Sequence, residues 1–469
     1  MTPFAIETRG RSRTLHLGRV TAPNLRKDAL MTFVEMIECT RTSAAKRTTY
    51  FRAILLILAL VLVPTAADFW GVHFRTGPRE QLDFEGFYLA GQLVWRGAIE
   101  QAYHFATFFQ LQNSLHKTET FLPWTYPPQF DLVVAALALL PQGLAYSVFM
   151  IGTFAAYLAT LRRLATENFV PVLILLMPVT VVTIGCGQNG FLTGALIGLT
   201  CLGLQAGRSW AGLPLGLMII KPHLAVAFAV YTLVNRRWGT AFVAAATVAL
   251  TSAVATVLLG PAVWTAFFAG AREARIFLDH GFYQLFRMVS VYAAVRSLGV
   301  SSLLANAAQV LVAILALGSV VFASLQFSTR RALGITAIAT LLISPYEYDY
   351  DLLTLGIGLG LLMPDLASLG TDRERLALYV SIPFIGIFSI AETIISSPSG
   401  PDKTLGDNAR LLSLGGLVLV AILIITWRIL LRSHEMRAGR IEIPNKGMAY
   451  VYASSTDGSR PTAGSRLAI

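Results

Sequence analysis

The chain has 469 residues, of which 55% are hydrophobic and 13% charged, with a mean hydropathy of +0.62. A soluble domain carries about 25% charged residues to keep its surface wet, so a water-soluble globular fold is excluded and an all-α polytopic membrane protein fits. The net charge of +11 would suggest nucleic acid in a soluble chain. Here the basic residues flank apolar runs, where they orient spans and meet anionic headgroups, and no nucleic-acid partner is expected.

Residues 1–50 carry nine Lys/Arg against four acids, and the tail from Arg432 carries six against three. Basic flanks of this kind place both termini in the cytoplasm and the chain as a multi-pass protein of the inner (plasma) membrane. Residues 1–50 read as a basic, partly disordered cytoplasmic segment, 51–431 as the transmembrane domain, and 432–469 as a disordered cytoplasmic tail. No cleavable signal peptide is expected, because the first apolar run begins near Phe51 and is long enough to stay in the bilayer.

About twelve transmembrane helices are expected, near 51–69, 129–140, 144–161, 169–184, 190–206, 212–234, 238–259, 303–327, 332–345, 351–364, 376–395 and 409–431. Several fall short of the ~20 residues a straight span needs, so half-helices or re-entrant hairpins are expected among them. This threading puts Arg236–Arg237, Arg330–Arg331 and Arg373–Arg375 on the cytoplasmic side. It leaves Arg162–Arg163 and Arg208 outside, against the positive-inside rule. Two long outer loops remain, 70–128 and 260–302, the second suited to amphipathic helices lying on the surface.

Charge is scarce between the tails, so each polar insertion is a candidate. Asp83 and Glu85 stand among aromatics just before a helical stretch that includes Tyr88. Asp83 has two readings, a helix N-cap or a carboxylate whose pKa rises in an apolar crevice until it can accept a hydroxyl proton. Trp124-Thr125-Tyr126-Pro127-Pro128 closes the same loop, as an interfacial aromatic belt or as a rigid wall over a cavity. Gly185-Cys186-Gly187-Gln188-Asn189-Gly190 reads as a tight turn.

Lys221-Pro222-His223 interrupts an apolar run where a lysine costs several kcal/mol unless it snorkels or finds a partner. The sharper reading is a cation that holds a phosphate, and Arg287 is a second candidate for that role. In Ser344–Asp351 three acids, Glu347, Asp349 and Asp351, alternate with Tyr346, Tyr348 and Tyr350, a composition suited to carbohydrate or to an acid-rich helix start. The cysteines, Cys39, Cys186 and Cys201, imply no disulfide framework, and the seven histidines show no zinc spacing. Asp83, Asp349 and Asp351 together have donors for a divalent metal, but none is expected.

Taken in order, these segments resemble the bacterial glycosyltransferase family 87 of the GT-C superfamily over about residues 51–365. The resemblance rests on DFEGFYLAGQLVWRG, WTYPPQF with LALLP, GQNGFLTGAL, IIKPHLA, the Trp264 and Arg287-Met288-x-Ser290 segment, and SPYEYDYDL. His223 stands where members often carry Gln. The resemblance implies a GT-C-like arrangement of helices and transfer of a sugar, a hexose such as mannose, from a polyprenyl-phosphate donor. The acceptor would be an envelope lipid or glycan at the extracytoplasmic face. An acid in the first outer loop of such enzymes is the general base, and the matching position is Asp83. Glu85, Tyr88, Tyr126, Lys221, Arg287, Tyr346, Asp349 and Asp351 are the expected substrate contacts. The alternative is a transporter or lipid flippase, which would have no need of so large a loop after its first span.

Overall fold

Among the described residues of a computed structural model, seven helical stretches are long and apolar enough to cross a bilayer: Ala44–Phe69, Gln142–Leu175, Trp238–Leu259, Ser302–Gln326, Asp349–Leu369, Asp372–Ile395 and Gly415–Arg432. The structure describes residues 33–71, 82–116, 122–396 and 411–437. The basic segment 1–32 and the tail beyond 437 lie outside them. Among the described residues all regular structure is helical, apart from one isolated bridge between Met288 and Tyr348. The chain is thus an all-α multi-pass membrane protein. Shorter apolar helices accompany the long ones, at Pro128–Leu137, Met177–Cys186, Gly190–Gln205, Ser209–Ile220 and Pro222–Val234.

Burial sorts these helices into a shell and a core. Ala44–Phe69 and Trp238–Leu259 each bury 11% of their apolar window, whereas Asp349–Leu369 buries 83% of its own. Leu56, Leu60, Phe242, Val257, Leu303 and Leu325 of the shell point outward, a surface tolerable in lipid and not in water. The buried Asp349–Leu369 helix is the axis of the bundle. Close approach is what holds helices together in lipid, since apolar burial gives little drive there.

The two ends of this axis differ in chemistry. Sixteen residues, about 24 Å of helix, separate Asp349 at its head from Asp365. Asp365 accepts from Arg330 at 2.6 Å and Arg331 at 2.7 Å. At the same end Glu374 pairs with Arg428 and Arg432, and Arg375 with Glu38. Gly360 lies against Leu161 and Ala165, and Gly207 approaches Arg237, so Arg162–Arg163 and Arg208 share this arginine-rich end.

That corrects the threading read from sequence, and the cause is the segment expected to span at 129–140. Pro128–Leu137 is ten residues, about 15 Å, and does not cross. Tyr88 of the first loop donates to the Leu140 carbonyl at 2.9 Å, and Gly143 lies under the Trp70 ring. Both ends of this short helix therefore stay by the first loop.

The loop itself is folded. Asp83–Trp95 and Phe105–His116 are α-helices, with a 3₁₀ turn Ile99–Tyr103 between them. Phe87 meets Tyr126 and Phe130 edge-on at 5.4 and 5.2 Å, and buried Trp124 donates to Asp131 at 3.0 Å. The Trp-Thr-Tyr-Pro-Pro segment is thus an internal brace, and Trp124 is not part of an exposed belt. The second loop holds Ala262–His280, with Val263, Gly270, Ala274 and Leu278 buried on one face and Arg272 and Arg275 exposed on the other. This is the amphipathic surface helix expected there.

Gly91 sets how closely Asp83–Trp95 lies on Pro128–Leu137, because a Cβ there would stand 2.2 Å from the Val134 carbonyl oxygen. Gly91→Ala must push the two backbones apart. We expect it to lower stability by about 1–3 kcal/mol, read as a fall in the thermal midpoint of the detergent-solubilised protein.

Candidate active site

The end of the bundle opposite the arginines is built where helices stop. Asp83 opens its helix, Cys186 closes Met177–Cys186, and Gln188 and Asn189 form the turn before Gly190. Lys221 lies at the break between the 3₁₀ turn Met218–Ile220 and Pro222–Val234. Arg287 ends the 3₁₀ turn Leu285–Arg287, and Asp349 and Asp351 head the buried axis. Irregular backbone at membrane depth persists only where protein or a polar cavity satisfies it, so a concentration of helix ends marks a polar site.

Two ion pairs anchor it. Arg287 donates through Nε to Asp349 at 3.1 Å and through Nη2 to the other carboxylate oxygen at 3.2 Å, a two-point grip. Ser389 also donates to Asp349, as does the backbone amide of Tyr350 at 2.8 Å. Lys221 Nζ lies 2.7 Å from Asp351 and 4.5 Å from the centre of the Tyr350 ring. Its side chain is only 7% exposed, so this lysine is paired in the interior and does not snorkel.

Backbone contacts fix the segments that carry these groups. The Val289 amide donates to the Glu347 carbonyl at 2.8 Å, and Ser290 Oγ donates to the Pro345 carbonyl while capping its own helix at Ala293. Met288-x-Ser290 is therefore the seam between the Arg287 turn and the tyrosine-acid turn. Gly190 lets the next helix start against the chain: a Cβ there would meet the Tyr350 carbonyl oxygen at 2.2 Å.

Asp83 faces this assembly half-buried. It is the first residue of its helix and not the cap, for Glu85 accepts from the Leu82 amide at 2.8 Å. Gln188 accepts from the Tyr126 hydroxyl at 3.0 Å and from the Asn189 amide at 3.1 Å. Its carbonyl is thereby occupied, which leaves its NH₂ to donate to the Asp83 carboxylate; the Cys186 thiol stands beside the same group. Burial pushes the Asp83 carboxyl above the ordinary carboxylate range; Arg287 pulls it back and Asp349 pushes it further up. The Tyr126 hydroxyl is also pushed well up, by burial first and then by Asp351 and Asp83.

Of the residues expected from sequence, Asp83, Tyr126, Lys221, Arg287, Asp349 and Asp351 come together here. Glu85, Tyr88 and Tyr346 do not. Glu85 caps its helix, Tyr88 ties that helix to Leu140, and Tyr346 turns its ring to Tyr283 at 5.9 Å in a separate cluster with Met288 and Tyr292. Cys186, Gln188, Asn189, Tyr350 and Ser389 line the site without having been singled out as contacts. The first three sat in a stretch whose glycines read as a turn, and only Gly187 there has a positive φ.

Residues 124–345 match the family model of Glycosyltransferase family 87. Over that stretch, just under half of its length, the chain is similar to the family. It is a membrane glycosyltransferase, and a purely transporting role is set aside. The matched stretch holds Tyr126, Gln188, Lys221 and Arg287, while Asp83, Asp349 and Asp351 of the glycosyltransferase lie outside it and meet them in space. No curated protein and no solved structure matches the chain.

Removing one partner of a buried ion pair leaves a stranded charge and costs about 3–5 kcal/mol. Asp349→Ala should therefore lower the thermal midpoint sharply. Tyr346→Phe, which removes a hydroxyl outside the cluster, should leave the midpoint and sugar transfer near wild type.

Proposed function

We propose that this glycosyltransferase moves a sugar, a hexose such as mannose, from a polyprenyl-phosphate carrier to a hydroxyl of an envelope lipid or glycan, with Asp83 as general base. The observation that carries the reading is the placement of Asp83. Its carboxylate is raised in pKa and oriented by Gln188, and the guanidinium of Arg287 acts on it from the neighbouring turn. The acceptor oxygen attacks the anomeric carbon as its proton passes to Asp83. The bond from that carbon to the phosphate oxygen breaks, and polyprenyl phosphate leaves with the electron pair. Arg287 and Lys221 stabilise the charge that grows on the departing phosphate. Both are already held by Asp349 and Asp351, so they need not reorganise when that charge appears.

The face and the arrangement belong to the same reading. Among the described residues, arginines (Arg162, Arg163, Arg208, Arg236, Arg237, Arg330, Arg331, Arg375, Arg428 and Arg432 among them) gather at one end of the bundle, as the contacts of Gly360, Gly207, Asp365 and Glu374 indicate. The positive-inside rule favours that end as cytoplasmic, which puts Asp83 at the extracytoplasmic face with both termini inside. Pro128–Leu137 drops out of the sequence threading, and 212–234 becomes a re-entrant pair of short helices that meet at Lys221 and return to the end they entered from. This is compatible with a GT-C-like arrangement in which the first outer loop covers the site.

Asp83→Asn should abolish transfer from a polyprenyl-phosphate sugar in detergent or proteoliposomes and leave the thermal midpoint unchanged or higher, since a neutral amide suits a position where burial disfavours the charged form. Full transfer by this variant would remove Asp83 as base. A base must be ionised to act, so activity should fall as pH drops through the raised pKa of Asp83. The acidic limb of the kcat/KM profile is expected above the ~3.9 of an ordinary aspartate.

A further inference from the structure

Next to the Lys221–Asp351 pair lies a group that the proposed transfer does not use. Glu347 is fully buried, and neither of its carboxylate oxygens has a hydrogen-bond partner. His223 Nε2 is likewise unpartnered, and it stands 3.5 Å from Glu347 Oε2 without hydrogen-bond geometry. A carboxylate removed from water costs several kcal/mol unless something compensates it. The nearest fixed cation, Lys221, is committed to Asp351.

One ligand atom each from His223, Glu347 and Asp351 lie within 4.8 Å of one another. An ion about 2.1 Å from each donor holds neighbouring donors about 3 Å apart and opposite ones about 4.2 Å apart, so the three can close on a single centre with small side-chain adjustments. We propose that His223, Glu347 and Asp351 bind a divalent cation. One imidazole and two carboxylates form a donor set that suits Mn²⁺ and also accepts Zn²⁺. The charges agree: two carboxylates against Lys221 leave one negative charge, which a divalent ion turns into one positive charge beside the proposed phosphate position. His223 keeps 28% of its side chain exposed, which gives an ion a way in. The ligands come from either side of the site, His223 from the helix after the Lys221 break, Glu347 from the turn before the buried axis and Asp351 from the head of that axis. The ion would therefore tie those two segments together. Nothing in this site depends on Asp83 being the base.

The test uses the full chain purified in detergent, stripped with EDTA and titrated with MnCl₂ at pH 8, with bound Mn²⁺ followed by electron paramagnetic resonance. We expect saturable binding of one Mn²⁺ per chain, with ¹⁴N coupling from an imidazole and displacement by Zn²⁺. Glu347→Gln and His223→Ala should each weaken it at least about tenfold, whereas Asp83→Asn should bind as wild type even with transfer abolished. Absence of saturable Mn²⁺ and Zn²⁺ binding to the folded wild type would overturn the proposal. So would unchanged binding in the Glu347→Gln, His223→Ala double variant. Should a variant fail to fold, the wild-type ¹⁴N coupling decides, since bound Mn²⁺ lacking it cannot lie on His223.

Discussion

Two carboxylates at the head of a buried helix set the constraint on which the rest of this protein depends. Asp349 and Asp351 lie in the interior of a membrane protein, where an unpaired charge is intolerable, and each is met by a cation from a different segment. Arg287 comes from the second outer loop and Lys221 from a break between two short helices. The pairs thus draw a surface loop and that break onto the axis of the bundle. Buried ion pairs of this kind add little net stability over apolar packing, but their geometry is highly specified. Here the specification is of a site.

Broken helices are how that site is made. A continuous span presents only side chains, whereas a helix end also presents backbone groups and admits charged residues. Cys186, Gln188, Lys221, Arg287 and Asp349 all occupy such ends. Gly190 beside them is part of the same design, allowing backbone-to-backbone contact with Tyr350 where any side chain would hold the site open. The opposite end of the bundle, with Asp365 and Glu374 gripped by arginines, uses its charges for anchoring.

Much of this was legible in the sequence because charge is so rare in it. Asp83, Lys221, Arg287, Asp349 and Asp351 stood out against apolar surroundings, and five of the six residues that converge are charged. What the sequence could not resolve was direction. Asp83 and Glu85 are two residues apart, about 200° around a helix, so one faces the site while the other turns back to cap. Tyr346 and Tyr350 both alternate with acids along Ser344–Asp351, yet one packs against Tyr283 and the other lies under Lys221. Gln188 was hidden by its glycine neighbours. The threading erred at Pro128–Leu137 for a related reason, because hydropathy reports an apolar surface and not whether a short helix crosses or lies beside another.

The central claim is that Asp83 takes the acceptor proton within reach of the Arg287 and Lys221 charges. The most direct test is a cryo-electron microscopy structure of the protein with a non-hydrolysable polyprenyl-phosphonate sugar and an acceptor. The account predicts the acceptor hydroxyl within hydrogen-bond distance of the Asp83 carboxylate and the phosphonate against Arg287 or Lys221. A sugar and phosphonate bound away from Asp83, or an acceptor hydroxyl held by another base, would contradict it.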